Sequence, residues 1–283
     1  MALLDPGDEV IIFEPAFTIY EPDIRLLGGK PVYVDLKPPT FRIERESLEA
    51  VITKKTKAII LNSPHNPTGR VFTSQELDVV ADMAESYGLF VITDEIYDEL
   101  VYEPGKQKKL WLYPQINEQV IMVNGFSKSY SVTGWRLGYI AAPDYLTKVI
   151  RVAHNYLTIS AATPLQEALI TGLDFSEEYY TNLRKDFKQK RDFLMCGLES
   201  VGIHCIKPQG GYFILADCSC FHGYDDLYLA KWLIKEIGVA TVPLSGFYHK
   251  KISGQWLRFA FCKKNETLSM GIEKLKRAVQ FMS

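Results

Sequence analysis

The sequence has few cysteines and no long apolar run, and these shortages exclude several classes of protein. Its 283 residues include only five cysteines, which are spread between Cys196 and Cys262. An odd, dispersed set in a chain of this length does not form a disulfide framework, so we expect reduced thiols. No apolar stretch approaches the roughly 20 residues that a membrane-spanning helix needs. The first residues lack the basic segment and cleavage site of a signal peptide. We therefore expect a cytoplasmic protein that does not contact membranes.

Charge of one sign, metal clusters and nucleotide-binding glycines are also missing. Lys and Arg number 32 against 34 Asp and Glu, which gives a formal net charge of −2. The basic residues are scattered, so the sequence predicts no nucleic-acid partner. The histidines and cysteines form no group with metal-ligand spacing, and no Gly-x-Gly-x-x-Gly follows the first predicted strand. With 47% apolar and 23% charged residues, the composition is that of a globular protein with room for about two domains.

The first half of the chain alternates short apolar runs with amphipathic segments. A helix is predicted to begin at Ser74, because Thr73 and Glu76 have the spacing of a capping box, and to end at Gly88. Strands that alternate with helices build βαβ units, so we predict an α/β fold with a mostly parallel, mixed sheet flanked by helices. The predicted strands cover residues 9–13, 31–36, 58–61, 89–93, 120–123 and 137–142.

Beyond Pro143 the pattern changes to long helices and short strands. Helices are predicted over residues 145–157, 177–200 and 266–281, the last with Asn265 as its N-cap. This texture is typical of a smaller α+β domain. We therefore predict a large domain over residues 1–145, followed by a connecting long helix and a small C-terminal domain over residues 146–283. The short strands of that domain are predicted at residues 203–206, 212–216, 240–242 and 257–261.

Lys128 is the most informative single residue of the sequence. It follows the apolar run 120–123 directly, in a loop of serines and glycines. The carboxyl ends of strands are where open α/β sheets bind their ligands. An amine that is partly desolvated there, with Arg136 as a second cation nearby, can attack a carbonyl group. The alternative is an ordinary surface lysine in a turn.

Three further clusters adjoin predicted strand ends. The turn over residues 62–69 contains two X-Pro bonds, both candidates for the cis form, and aims Asn66. Asp94 ends a buried strand, where a carboxylate is costly without a cation or proton donor, and Tyr97 is within reach if the chain turns helical. Arg258 alternates with apolar neighbours on a strand and suits bidentate binding of a carboxylate. The respective alternatives are a strand–helix connection, a helix cap and an exposed strand arginine.

Together these clusters supply a buried carboxylate, a phenol, a reactive amine, a cation for a phosphate and a carboxylate receptor. Pyridoxal 5′-phosphate uses all five when its substrate is an amino acid. The cofactor takes a lysine for its aldehyde, an aspartate for its pyridine nitrogen, a phenol or amide for its ring oxygen and a cation for its phosphate. The sequence therefore predicts a pyridoxal-phosphate enzyme.

The whole sequence resembles the class I/II aminotransferases, which are fold-type-I pyridoxal-phosphate enzymes. Within that family it is most similar to the kynurenine aminotransferase / glutamine transaminase K branch. The resemblance is carried by five short segments, at residues 14–17 (EPAF), 20–22 (YEP), 62–67 (NSPHNP), 162–166 (ATPLQ) and 210–213 (GGYF).

The resemblance implies a role for each residue around the cofactor ring. Lys128 would form the Schiff base and carry the proton between the substrate Cα and the cofactor. Asp94 would pair with the pyridinium nitrogen. Tyr97 and Asn66 would bond the ring oxygen, and Phe17 would stack on the ring face, a contact of about 0.5–1.5 kcal/mol beyond burial.

The resemblance also implies a phosphate site and a substrate site. Ser127 and Arg136 would hold the phosphate. Arg258 would bind the substrate α-carboxylate, with Asn66 touching the same group. Tyr212 and Phe213 would approach the site from the small domain. These roles imply transfer of an amino group from an L-amino acid to a 2-oxo acid, in a homodimer with the active site at the subunit interface.

Two departures from the family pattern qualify that expectation. The family has a long segment before the equivalent of Met1, so the sequence is interpreted as N-terminally truncated. Residues 137–142 would then form an exposed sheet edge, which is an aggregation liability. We also expect the chain to bind the cofactor weakly or to fold poorly on its own. The loop before Lys128 also lacks a second phosphate-binding serine. Two alternative functions follow: a cysteine-conjugate C–S β-lyase on the same fold, or a non-catalytic fragment of the family.

Overall fold

The computed structural model describes residues 1–103, 108–222 and 224–282, and the larger of its two sheets has six strands. The strands lie in the order β2-β1-β3-β4-β5-β6, so β1 has β2 on one side and β3 on the other. Their bounds are Glu9–Glu14 (β1), Lys30–Asp35 (β2), Thr56–Asn62 (β3), Phe90–Asp94 (β4), Val120–Gly125 (β5) and Gly138–Ala141 (β6).

The pairing of these strands confirms the predicted mixed, mostly parallel sheet. Strands β1 to β5 pair in parallel, and β6 runs antiparallel to β5. The register places Asn62 opposite Asp94 and Asp94 opposite Val123, so that β3, β4 and β5 end at the same edge. At the side of the sheet, β6 pairs only with β5 among the described residues, and all four of its residues are exposed, as predicted.

A four-stranded antiparallel sheet follows later in the chain, in the order β7-β8-β10-β9. In it Arg258 lies opposite Leu215 on one side and Val242 on the other. A 3₁₀ turn, Leu244–Phe247, lies between the last two strands. The strand bounds are His204–Ile206 (β7), Phe213–Asp217 (β8), Val242–Pro243 (β9) and Trp256–Ala260 (β10).

Helices flank both sheets. The capping box of α3 is present, because Thr73 accepts from the Glu76 N–H while Glu76 accepts from the Thr73 N–H, and Gly88 ends the helix in the left-handed conformation as predicted. None of the helices in the described ranges is long and apolar enough to cross a bilayer. The helix bounds are Tyr20–Leu26 (α1), Arg45–Glu49 (α2), Ser74–Tyr87 (α3), Asp144–Thr158 (α4), Thr163–Leu173 (α5), Glu177–Glu199 (α6), Asp226–Trp232 (α7) and Asn265–Met282 (α8).

The buried apolar residues of the described ranges form two large core clusters and a smaller one. Ile59 and Val91 of the larger sheet are completely buried in a core that also contains Val80 of α3. Leu198 of α6 and Leu257 of β10 are completely buried in a second core. The first core also contains Leu215 of β8 and Phe247, and the second also contains Tyr97 and Leu100, so the two sheets share interior packing and the strand ends rest on buried elements.

Most predicted elements differ from the observed ones by one or two residues, which is the usual uncertainty of element ends. Asn265 is a correction, because α8 begins at this residue instead of being capped by it. Helix α1 was not predicted. It has Pro22 in its first turn, where the missing N–H costs nothing because first-turn amides have no partner within the helix.

Candidate active site

The three strand ends at the edge of the larger sheet carry the polar groups of the candidate site. Asn62 at the end of β3 donates from Nδ2 to the carbonyl oxygen of Asp94, at 2.9 Å. Its Oδ1 accepts the backbone N–H of Asn66 at 2.8 Å. Both peptide bonds predicted as cis candidates, Ser63–Pro64 and Asn66–Pro67, are cis. The parallel register thus places an asparagine turn beside the Asp94 carboxylate.

Asp94 has two donors and a distant cation. Tyr20 donates its hydroxyl hydrogen to Oδ2 at 2.6 Å, and the backbone N–H of Ile96 donates to Oδ1 at 3.1 Å. Burial raises the pKa of the Asp94 carboxyl, while the Tyr20 hydroxyl, the Ile96 amide and the charge of Lys128 act in the opposite direction. The expectation that this carboxylate meets a proton donor is confirmed.

The donor is Tyr20, whereas sequence reasoning considered Tyr97. Burial, followed by the neighbouring Asp94 charge, holds the pKa of the Tyr20 phenol well above its usual value, so the phenol stays protonated. The sequence indicated that the buried Asp94 carboxylate needs a hydrogen-bond donor. It gave no indication of which residue supplies that donor. Tyr97 instead packs edge-on against Tyr212, with ring centroids 5.4 Å apart. Burial and Tyr212 raise the pKa of its phenol.

Lys128 extends over the same pair of tyrosines. Its Nζ lies 6.0 Å from the ring centroid of Tyr97 and 5.6 Å from that of Tyr212. Both distances are within reach of a cation–π interaction. Within the described ranges, the Nζ has no hydrogen-bond or ion-pair partner. The structure therefore presents the Lys128 amine against aromatic faces, with its donors available to a ligand.

Arg258 links the smaller sheet to the asparagine turn. Its Nη1 donates to Oδ1 of Asn66 at 2.6 Å. The guanidinium carbon lies 4.3 Å from the ring centroid of Phe213 and 5.1 Å from that of Phe247. The buried Nε has no hydrogen-bond partner in the part of the chain that the structure describes. Burial lowers the pKa of Arg258. A planar carboxylate is the ligand that such a guanidinium fits.

Three predicted site residues lie at the margin of this cluster. Ser127 is buried next to Lys128 in the chain. Arg136 is exposed, adopts a left-handed φ of 55°, and donates from Nη1 to the Thr133 carbonyl at 3.0 Å. Phe17 is 38% exposed and packs edge-on against Tyr20 at 5.8 Å between centroids. Neither Arg136 nor Phe17 contacts Lys128 or Arg258 among the described residues.

The arrangement supports binding of a small anionic ligand with an aromatic nitrogen. The buried carboxylate can accept a hydrogen bond from a protonated ring nitrogen, the free amine can react with a carbonyl group, and the guanidinium can bind a carboxylate. No group of three or more His, Cys, Asp or Glu side chains in the described residues could hold a metal ion. The sequence-predicted residues Asn66, Asp94, Tyr97, Lys128 and Arg258 are brought together by contacts; Tyr20 and Asn62 are the two that sequence reasoning missed.

Comparison with known proteins agrees with this chemistry. Human kynurenine–oxoglutarate transaminase 3 is 37% identical over 305 residues, which cover 97% of this chain and 67% of that protein. Methionine aminotransferase of Escherichia coli K12 is 36% identical over 98% of this chain and 72% of the relative. The crystal structure of N-succinyldiaminopimelate aminotransferase from Mycobacterium tuberculosis superposes with a TM-score of 0.94 at 33% identity, over 98% of this chain and 73% of that one.

This chain spans about two thirds of the length of the human relative. Residues 1–275 match the family described as aminotransferase class I and II. The match covers both sheets and all the polar groups described above, and the structural neighbours are fold-type-I aminotransferases. The chain therefore belongs to the class I and II aminotransferases.

Proposed function

We propose that this protein is a pyridoxal-phosphate-dependent transaminase that moves an amino group from an L-amino acid to a 2-oxo acid. The observation that carries the proposal is that two groups occur in the same site. One is the buried Asp94 carboxylate at the end of β4, and the other is the Lys128 amine after β5, which has no hydrogen-bond or ion-pair partner in the described ranges. The Lys128 Nζ lies 6.0 Å from the ring centroid of Tyr97, and the charge of Asp94 contributes to the raised pKa of the Tyr97 phenol. A surface lysine or a simple helix cap would not need either feature.

The chain's own residues fit the cofactor at its ring. Asp94 would accept a hydrogen bond from the protonated pyridine nitrogen and keep that nitrogen protonated, because a buried carboxylate favours a partner that carries positive charge. Tyr97 and Asn66 would bond the ring oxygen, and Phe17 would cover the ring. Pyridoxal phosphate supplies an aldehyde that condenses with amines and a ring that delocalises the electrons left when a proton leaves Cα.

The phosphate and the substrate would be held by separate cations. Ser127 and Arg136 would bind the phosphate; the exposed position of Arg136 leaves its remaining donors accessible. Arg258 would bind the substrate α-carboxylate with its guanidinium, whose buried Nε has no partner in the described ranges, and Asn66 would fix the guanidinium plane. Lys128 would move the proton at the substrate Cα. Proton transfer by a positioned amine contributes typically 10²–10⁴-fold, roughly 3–5 kcal/mol.

Several wider features belong to the same proposal. The domain division is placed near residue 145, with the cofactor domain before it and the connecting long helix and small domain after it. The active unit is a homodimer in the cytoplasm, and the partners are amino-acid and 2-oxo-acid substrates. Since relatives are named for kynurenine and for methionine, aromatic and sulfur-containing amino acids are the donors to test first.

The test is Lys128→Ala, with Lys148→Ala as a matched control because Lys148 is exposed on α4, where it pairs with Asp144 one turn away. The full chain is loaded with pyridoxal phosphate, and 2-oxo-acid formation is measured with L-methionine or L-kynurenine as donor. We expect Lys128→Ala to lose about 10²–10⁴-fold of the turnover while the cofactor still binds. Transamination at the wild-type rate in Lys128→Ala would refute the role. Release of pyruvate and ammonia from a cysteine conjugate, without transamination, would assign the β-lyase function instead.

A further inference from the structure

A second polar contact joins the two sheets away from Asn66 and Arg258. Glu14, the last residue of β1, has a side chain that is only 2% exposed. Its Oε1 accepts the backbone N–H of His249 at 2.6 Å, and its Oε2 lies 2.7 Å from the Nδ1 of the same residue. His249 belongs to the segment between β9 and β10 of the smaller sheet. A single buried carboxylate therefore takes both polar groups that His249 presents to it.

The Glu14–His249 contact has an aromatic neighbour and a separate, exposed ion pair beside it. Its ring stacks on Tyr33 of β2 at 3.7 Å between centroids, with an angle of 10° between the planes. The next residue, Lys250, forms an ion pair with Asp35, which lies opposite Glu14 in the β1–β2 register. Burial raises the pKa of Glu14, and each contact with His249 opposes that rise. An unpaired carboxylate at this depth would be costly, so the pair is a specific contact.

The same segment carries a wall of the candidate carboxylate site. Phe247 is two residues before His249, and its ring covers the guanidinium of Arg258 at 5.1 Å. The backbone carbonyl of Phe247 accepts the N–H of Ala16 at 2.8 Å. Phe247 is thus tied to the end of β1 through its own carbonyl and through His249. Displacement of the segment would uncover one face of the guanidinium.

We propose that the Glu14–His249 pair is a latch between the two sheets that positions Phe247 on Arg258 and so sets the affinity for the substrate carboxylate. Glu14 and His249 are positioning residues, since neither contacts Arg258 in the structure. The affinity part of this inference rests on the proposed function. The latch itself rests only on contacts within the chain.

The first measurement is amide hydrogen exchange over residues 244–250 in the full chain with pyridoxal phosphate added. His249→Ala removes the ring from a site where it is one third exposed, so the variant is expected to fold. Glu14→Leu keeps the volume and removes both acceptors, whereas Glu14→Gln retains an acceptor for the His249 N–H. Lys250→Gln is the matched control, because it breaks the neighbouring ion pair and leaves the latch intact.

We expect exchange over residues 244–250 to accelerate about tenfold or more in His249→Ala and Glu14→Leu. Glu14→Gln should rescue most of the protection, and Lys250→Gln should stay within about twofold of the wild type, as is usual for an exposed ion pair. Unchanged exchange in both His249→Ala and Glu14→Leu would overturn the latch, whatever the enzyme does to its substrates.

The second measurement separates positioning from general loss of structure. In His249→Ala we expect the KM for L-methionine, and the dissociation constant of 3-phenylpropionate as a carboxylate probe that is not turned over, to rise about fivefold, with kcat within about twofold of the wild type. Faster exchange without weaker probe binding would overturn the positioning role. A wild-type chain that binds the probe and shows no transamination would contradict the proposed function and leave the latch to be decided by exchange and probe binding.

Discussion

The hydrogen bond from Tyr20 to Asp94 provides the sharpest test of the electrostatics of the site. Its 2.6 Å length and the sequence separation of 74 residues make it a tertiary contact between α1 and the end of β4. Tyr20→Phe deletes the donor and leaves the ring. A hydrogen bond to an ionised group contributes about 1.5–3 kcal/mol, and loss of the partner leaves a buried acceptor with the Ile96 amide alone. We therefore expect the free energy of unfolding of the cofactor-free chain to fall by about 1.5–3 kcal/mol at neutral pH.

The loss should depend on pH in a defined direction. Burial raises the folded-state pKa of Asp94 above its unfolded value, so the stability that this carboxyl contributes is present at low pH and is lost as pH rises through the folded pKa. Tyr20 donation favours the ionised form and reduces that loss. The phenol itself stays protonated, because its own pKa is held well above its usual value. Tyr20→Phe should therefore cost most where Asp94 is ionised and least where Asp94 is protonated.

The assay is urea unfolding of the two proteins from about pH 8 down to about pH 5, a range in which most folded proteins remain stable. Tyr33→Phe is the matched control, since the Tyr33 hydroxyl accepts from exposed Arg25 at 3.3 Å and also pairs with Glu21 on the surface, and its cost should be below about 0.5 kcal/mol. A cost of Tyr20→Phe that is the same where Asp94 is ionised as where Asp94 is protonated would refute the reasoning. A cost of Tyr20→Phe that grows toward acid pH would contradict the expected direction of the pH dependence.

Four further changes test other parts of the structure. Arg258→Gln should raise the KM for carboxylate substrates by about ten- to a hundredfold, the equivalent of one charged hydrogen bond, and an unchanged KM in steady-state kinetics would exclude the proposed carboxylate site. Gly69→Ala should destabilise the chain by about 1–3 kcal/mol in urea unfolding, because φ is +70° and the new Cβ would lie 2.3 Å from the Pro208 Cβ. Thr73→Ala should cost about 1 kcal/mol in the same assay through loss of the α3 cap, and Thr73→Ser should restore it. Ile140→Lys, at a residue that is 49% exposed on the edge strand β6, should reduce self-association measured by light scattering, and equal scattering would show that this edge does not mediate it.

The strand ends could be predicted from the sequence because they depend on local patterns. Apolar runs of four to six residues that end in polar groups indicated the strands that end at Asn62 and Asp94. The capping box of α3 was predicted for the same reason, because Thr73 and Glu76 bond each other's backbone N–H groups within the first turn of the helix. The buried position of Asp94 also implied a donor. In each case the information lay within a few residues of the predicted feature.

The partners of these groups could not be predicted in the same way. The donor to Asp94 comes from Tyr20 in a helix that has a proline in its first turn and no strong periodic pattern. The contact between Asn66 and Arg258 joins residues that are 192 positions apart. It depends on how the two sheets pack, which no local pattern records. The cover that Phe213 and Phe247 give to Arg258 has the same origin.

Hydrogen bonds through two asparagines link the end of β4 at Asp94 to the guanidinium of Arg258. Asn62 donates to the Asp94 carbonyl and accepts from the Asn66 backbone, so both ends of its amide are fixed. Asn66 then accepts from Arg258. Because Asn62 and Asp94 are register partners in the sheet, the spacing between Asp94 and the Asn66–Arg258 contact is set by the backbone of β3 and β4. Loops and small-sheet contacts such as Glu14–His249 can therefore change the setting of Arg258 without moving Asn62 and Asp94.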